Sequence, residues 1–321
     1  MRSLLPTIAL ALLLPVHAAQ AGDYPKQPVQ IVVPFSAGGV TDTAARMLAQ
    51  KLSAAWGQPV TVSNRPGSGA IVGVDAVAKS APNGYTLLMA TNGEIALHPA
   101  IYSKLPYDLE KDLLPVTMVI NTPLLWVTSA KSAINSIQDL VAAAKARPDQ
   151  ISYSSPGPGS MNQLTAEWFA QEAGVRLLHV PYKGGAPATA ALLRGEVAVS
   201  VIAISSALPY IKSGELKVLA VTTQQHTSIA PQWPTVAESG LTGFDAPLWV
   251  GLFAPAAVPA AVVQTLQQQV SAVLQAPDVR DQLVALGAEP AGMTSAEFAV
   301  RIKQDAARYV AIARTAQIQP E

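Results

Sequence analysis

The chain has 321 residues, with 21 basic and 21 acidic side chains and no cysteine. Balanced charge without like-charged runs argues against nucleic-acid binding and disorder. Lack of cysteine excludes disulfides, thiolate nucleophiles, zinc–thiolate sites and iron–sulfur clusters. The length suggests about two domains with a sizeable core.

Residues 1–21 read as a secretory signal peptide. Arg2 precedes an apolar run from Leu4 to Val16, and Ala19-Gln20-Ala21 supplies small residues at cleavage spacing. Pro6 and Pro15 break that run, which is too short to span a bilayer, and no later run reaches the roughly 18–20 residues a spanning helix needs. Export and loss of Arg2 would leave 20 basic against 21 acidic groups, a net charge of −1.

The chain is organised around the stretch from Gln30 to Asp42. Its β-branched start predicts a strand, Pro34-Phe35-Ser36-Ala37-Gly38-Gly39 a loop, and the apolar spacing a helix over 41–56. The free N–H groups and dipole of a helix start make such a loop an anion site. Strand-to-helix turns also carry glycines for packing alone, so both readings stand at this point. A short strand over 60–62 follows, then the turn Asn64-Arg65-Pro66-Gly67-Ser68-Gly69, a helix over 71–80, and a strand over 85–90 ending at Thr91-Asn92-Gly93. This βαβ alternation predicts a mostly parallel sheet, with ligands beyond the carboxyl ends of the strands.

The pattern restarts near residue 121 with a strand over 123–128 and a helix over 136–146. A strand over 151–154 runs into Ser155-Pro156-Gly157-Pro158-Gly159-Ser160, which opens a helix over 161–172 with Ser160 as cap. Two such loops, one in each half, could grip one small anion from both sides. Further strands are predicted over 177–182, 197–204 and 216–222; Lys183-Gly184-Gly185-Ala186-Pro187 follows the first and leads into a helix to about 194, and another helix runs from Ser205 to about 212. Residues 223–243 read as an irregular return path, and 259–275, 277–286 and 295–318 as helices packing on the first domain.

Catalysis has no good candidate. Gly157-Pro158-Gly159-Ser160 is not a Gly-x-Ser-x-Gly elbow, no nucleophile–base pair is evident, and His179 in its apolar strand reads as a core histidine. No metal-ligand spacing appears, and Gly67-Ser68-Gly69 lacks the Lys-Ser/Thr of a phosphate loop. Neither a cofactor nor a metal is expected. Trp126, Trp168 and Trp249 read as core rather than ligand-stacking rings; Lys183 fits either an anion contact or a solvated loop, and Arg65 either a ligand contact or a brace of its loop against a carboxylate.

Pro34-Phe35-Ser36-Ala37-Gly38-Gly39 with Asp42 and Arg46, Asn64-Arg65-Pro66-Gly67-Ser68-Gly69, and Asn83-Gly84-Tyr85-Thr86-Leu87-Leu88 occur in that order. Tyr153-Ser154-Ser155, His179-Val180-Pro181-Tyr182-Lys183-Gly184 and Pro234-Thr235-Val236-Ala237-Glu238-Ser239-Gly240 follow. Together they resemble the Bug-type receptors, the extracytoplasmic solute receptors of tripartite tricarboxylate transporters, over nearly the whole mature chain. The resemblance implies an α/β periplasmic binding protein fold of type II-like form, with two α/β domains and a ligand cleft between them. Residues 22–121 plus 245–321 would form domain 1 and 122–244 domain 2. In the family a ligand carboxylate is held largely by backbone N–H groups and water, which implicates Phe35, Ala37, Gly38 and Gly39 on one side and Ser155, Gly159 and Ser160 on the other. Thr91, Asn92, Gln163, Tyr182, Ile202 and Ala203 complete the expected ligand-binding set.

There are two departures. Gln163 stands where many members have histidine, and Ile202 and Ala203 stand where many carry an acid at a strand end. The second removes a partner for a ligand ammonium and points to a carboxylate without an amino group. The expected function is a non-enzymatic, monomeric periplasmic receptor that delivers a small organic carboxylate to membrane permease subunits and binds no nucleic acid. A co-receptor for a membrane sensor kinase and a secreted hydrolase are the alternatives.

Overall fold

The structure, a computed structural model, describes residues 24–315 except 228, 230 and 286. The expected signal peptide and the last residues of the predicted final helix lie outside the described residues. Among the described residues no helix is long and apolar enough to cross a membrane.

In chain order, β1 (Val29–Val33), α1 (Val40–Trp56), β2 (Val60–Asn64), α2 (Ile71–Ala78) and β3 (Thr86–Thr91) form the first βαβ arm. A π-helical turn, Gly93–Leu97, runs into α3 (His98–Ile101), and α4 (Leu109–Asp112) leads into the 17-residue β4 (Leu113–Ser129). The second arm is α5 (Ile137–Ala146), β5 (Ser152–Ser155), α6 (Met161–Glu172), β6 (Leu178–Pro181), α7 (Gly185–Leu193), β7 (Val199–Ala203), α8 (Ile204–Lys212) and β8 (Leu216–Val221). The chain returns through β9 (Pro247–Pro255) to α9 (Ala260–Gln275), α10 (Pro277–Ala285), the two-residue β10 (Glu289–Pro290) and α11 (Ser295–Thr315).

The strands lie in the order β2-β1-β3-β9-β4-β7-β5-β6, with β10 and β8 also paired to β4. Only the arms are parallel: β1 with β2 and β3, and β5 with β6 and β7. The centre is antiparallel, because β9 pairs with both β3 and β4, and β4 with β7 and β8. The expectation of a mostly parallel sheet therefore holds for the arms and fails where the chain crosses between them. Residues Leu113 to Pro123 of β4 pair with β9, and Leu124 to Thr128 pair with β7, so one continuous strand passes from one arm to the other.

Apolar faces seat the helices on these arms. Ala44, Ala45, Leu48 and Leu52 of α1 join Ile31, Val33 and Leu87 in one buried cluster, and Leu164 and Phe169 of α6 join Trp126 and Tyr153 in another. Removing such a leucine side chain typically costs about 2–5 kcal/mol. The final helix does not stay on the first arm as expected: Phe298 packs with Val32, Leu88 and Trp249, whereas Tyr309 and Ala313 enter the cluster around Trp126. As an α-helix of 21 residues, α11 is about 30 Å long, enough to reach both cores.

Candidate functional site

Four helix starts converge on one cavity between the arms. Gly39, Val40 and Thr41 at the start of α1, Ser160 and Asn162 of α6, Gly185 of α7, and Ala203 and Ser206 of α8 all line it. The first N–H groups of each helix have no partner within it, and its dipole places about half a positive charge there. Ser160 caps α6 by accepting from the Gln163 N–H at 3.3 Å, but α1, α7 and α8 have no side-chain cap. Three bare helix starts and a serine hydroxyl thus face a space of about 40 Å³ for water centres. Phe35, Ile202 and Leu248 make the remaining wall largely apolar, and among the described residues no Lys, Arg or His lines it.

The one charged residue on the wall among the described residues, Asp42, is already committed. Its carboxylate accepts from the Gly38 N–H, Arg46 Nε and Asn64 Nδ2, each at 2.9 Å. Burial pushes its pKa up, but these donors, Arg46 foremost, outweigh burial and hold the carboxyl below its usual range. Asn64 Nδ2 also donates to the Phe35 carbonyl at 3.0 Å, which ties the loop down from below. Asp42 and Arg46 meet because they are four residues apart on α1.

The cleft is closed across this loop. A Cβ added to Gly39 would lie 3.7 Å from the Gly185 nitrogen, so the starts of α1 and α7 nearly touch. Gly38 takes φ +90°, which glycine alone adopts readily, and a Cβ there would meet Ala186 at 3.4 Å. The Ser36 N–H donates to the Lys183 carbonyl at 3.2 Å.

Of the residues expected from the sequence, Phe35, Gly39, Thr91, Ser160, Ile202 and Ala203 lie on the cavity wall. The others lie off it. Ala37 belongs to the supporting loop, and Gly38 spends its N–H on Asp42. Asn92 is fully buried and donates to the Pro247 carbonyl at 3.0 Å and to the Tyr309 hydroxyl at 2.7 Å, joining the end of β3 to β9 and α11. Gly159 packs against His98, and Gln163 Oε1 accepts its N–H at 2.8 Å. Tyr182 faces an adjoining cavity, and its hydroxyl donates to Glu196 at 3.3 Å. Val40, Thr41, Asn162, Gly185, Ser206, Leu248 and Pro156 complete the wall without having been singled out. Gly184-Gly185 and Ser205-Ser206, each beside a predicted helix start, were the available signals.

Ser155 forms the seryl–histidine contact that the sequence did not reveal, with Oγ 2.6 Å from His179 Nε2. Gln163 Nε2 lies 3.2 Å from Nδ1 of that ring, which stacks on Tyr153 at 4.9 Å. Ser155 is fully buried and off the cavity wall, and burial pushes the His179 pKa down to about 4. This imidazole is therefore neutral and a weak base, and the pair braces the end of β5. Behind Thr91, the buried Glu94 Oε2 accepts from the Thr91 N–H at 2.7 Å and hydroxyl at 2.8 Å. Burial, opposed by those bonds, raises its pKa to about 7.

Residues 44–318 match the tripartite tricarboxylate transporter family receptor. The protein BugT of Bordetella pertussis is 36% identical over 295 residues, covering 92% of this chain and 90% of that one. An uncharacterised Bordetella bronchiseptica protein is 35% identical over 317 residues, covering 99% and 93%. Among solved structures, an R. palustris protein with adipate superposes with a TM-score of 0.90 at 33% identity, covering 93% of this chain and all of that one. The periplasmic binding protein BugD gives 0.88 at 31%, covering 93% and 100%, and MatC from Rhodopseudomonas palustris with bound malate gives 0.86 at 29%, covering 90% and 99%.

Proposed function

The chain belongs to the tripartite tricarboxylate transporter receptor family, and on that footing we propose that it captures a small organic carboxylate in the periplasm and presents it to the permease subunits of a tripartite transporter. Residues 22–121 plus 245–321 would act as one lobe and 122–244 as the other, in a monomer that closes on its solute. The observation that carries this reading is the cavity at four helix starts with no basic side chain among the described residues of its wall. Backbone N–H groups and dipoles of that kind bind anions without a salt bridge. Relatives of the same fold that hold adipate and malate support the choice of anion.

Selectivity follows from the end of β7. Ile202 and Ala203 place no acid there, and the Asp42 carboxylate spends three of its roughly four acceptor positions on its own donors, so a ligand ammonium would lose its water with little gained in return. The solute is a carboxylate without an amino group. A thermal-shift screen of the purified protein against carboxylates, amino acids and neutral amides tests this, since a ligand at 100 times its Kd stabilises by about 2.7 kcal/mol. Shifts with acids are the expected result; shifts confined to amino acids, or to no acid, would overturn it.

A further inference from the structure

Next to the cavity at the helix starts lies a second space between the arms, of about 300 Å³ for water centres, and Phe35 and Pro156 line both. At about 10–15 Å³ per water centre, the first holds about three waters and the second twenty or more. Three waters match the three heavy atoms of a carboxylate group and leave no room for the rest of a four-carbon acid. The second space has room for a six-membered ring or a chain of similar bulk.

The second wall suits such a body. Pro34, Pro66, Pro158 and Pro181 give it apolar faces on backbone of fixed φ, and Ile71 and Tyr102 add further apolar surface. Among the described residues Lys183 is the one charged residue on it, and no acid lines it.

We infer that the two cavities form one site for a carboxylic acid with an apolar body of about ring size. The head lies at the helix starts, the body fills the second space, and the Phe35 ring stands at the passage between them. This rests on the carboxylate reading above and narrows it, because compact acids would leave the larger space to water. Lys183 also sets the far end of the solute, where a distal anion is accepted and a distal cation rejected.

The test is calorimetric titration of the wild type and Ile71→Trp with acetate, malate, benzoate and cyclohexanecarboxylate, with 4-carboxybenzoate and 4-(aminomethyl)benzoate as the charged pair. Ring acids should bind the wild type at least about a hundredfold more tightly than acetate, through the apolar area they bury. Ile71→Trp should weaken the ring acids at least about tenfold by filling the second space, and leave acetate unchanged. Ile71→Phe, a smaller filling, replaces it if the tryptophan variant does not fold. Malate binding as tightly as the ring acids, or ring-acid affinity unchanged in a folded filled variant, overturns the two-cavity site alone. Tighter binding of the aminomethyl acid than of the dicarboxylate overturns the role given to Lys183. Failure of every acid to bind overturns the carboxylate reading and this inference with it.

Discussion

Glu94 offers a quantitative test of how the site is supported from behind. Its side chain is 1% exposed, Oε2 is held by Thr91, and Oε1 has no partner. Burial favours the neutral acid and moves the pKa from the ordinary 4.5 to about 7. Between these values the folded protein holds a proton that the unfolded chain has released. The stability is therefore fully present below pH 4.5 and is lost as pH rises through 7. At about 1.4 kcal/mol per pKa unit the loss approaches about 3 kcal/mol by pH 9. Glu94→Gln stays neutral and can keep an oxygen on Thr91. Urea unfolding of wild type and variant at pH 5, 7 and 9 measures the difference, in which His98 and the other groups cancel. Between pH 5 and pH 9 the variant should gain about 2.5 kcal/mol on the wild type. Parallel curves across that range would refute the argument that burial governs this carboxyl.

Three further substitutions separate wall from support. Gly39 has φ −83°, so a side chain is conformationally tolerated, but it must fit against Gly185. Gly39→Ala, with its Cβ 3.7 Å from the Gly185 nitrogen, should bind acid nearly as the wild type does, while Gly39→Val should block closure. We expect an affinity loss of about a hundredfold or more by calorimetry, or about 2.7 kcal/mol, with little change in unliganded stability. Ile202→Asp places a carboxylate on the cavity wall, so acid binding should disappear and amino-acid binding emerge in the thermal-shift screen. Asn92→Ala strands the Pro247 carbonyl and the Tyr309 hydroxyl, and should cost about 2 kcal/mol in urea unfolding. Its effect on acid affinity should stay below about threefold, because Asn92 does not line the cavity.

Local chemistry made the arms legible. The helix predicted over 161–172 is α6 itself, because Ser160 and the apolar spacing mark its start plainly, and the loops at Ser36–Gly39 and Ser155–Ser160 do lie at strand ends, with Gly39 and Ser160 on one cavity; the closest neighbours of the first loop, however, are residues 183–186. What could not be read depends on pairing across the chain. Pro247–Pro255 is buried along nearly its whole length, so it has no period of two to mark it as a strand, and Leu248 came to the cavity wall unseen. The same lack of alternation hid the first half of β4. Asn92 looked like a ligand residue because it sits at a strand end; its true partners come from β9 and from α11, 155 and 217 residues further along the chain. The contact between Ser155 and His179 arises from the register of β5 on β6, which places Ser155 opposite Pro181, two residues beyond His179.

The helix starts also explain why an anion would favour closure. Bringing α1 and α7 together at Gly39 and Gly185 apposes two like poles, with those of α6 and α8 on the same cavity. Each pole amounts to about half a charge, so a carboxylate interacts with a pole about twice as strongly as two poles repel at equal distance, and from the centre of the cavity it is nearer to each. Closure around an empty or neutral-filled cavity is opposed by this repulsion, and closure around a carboxylate is favoured. An acid and its primary amide have nearly the same shape, so they isolate the charge. By small-angle scattering the acid should reduce the radius of gyration of the protein, and the amide at the same concentration should leave it unchanged. Equal contraction with both would mean that shape rather than charge drives closure, and the helix starts would then lose their role as the anion-binding device.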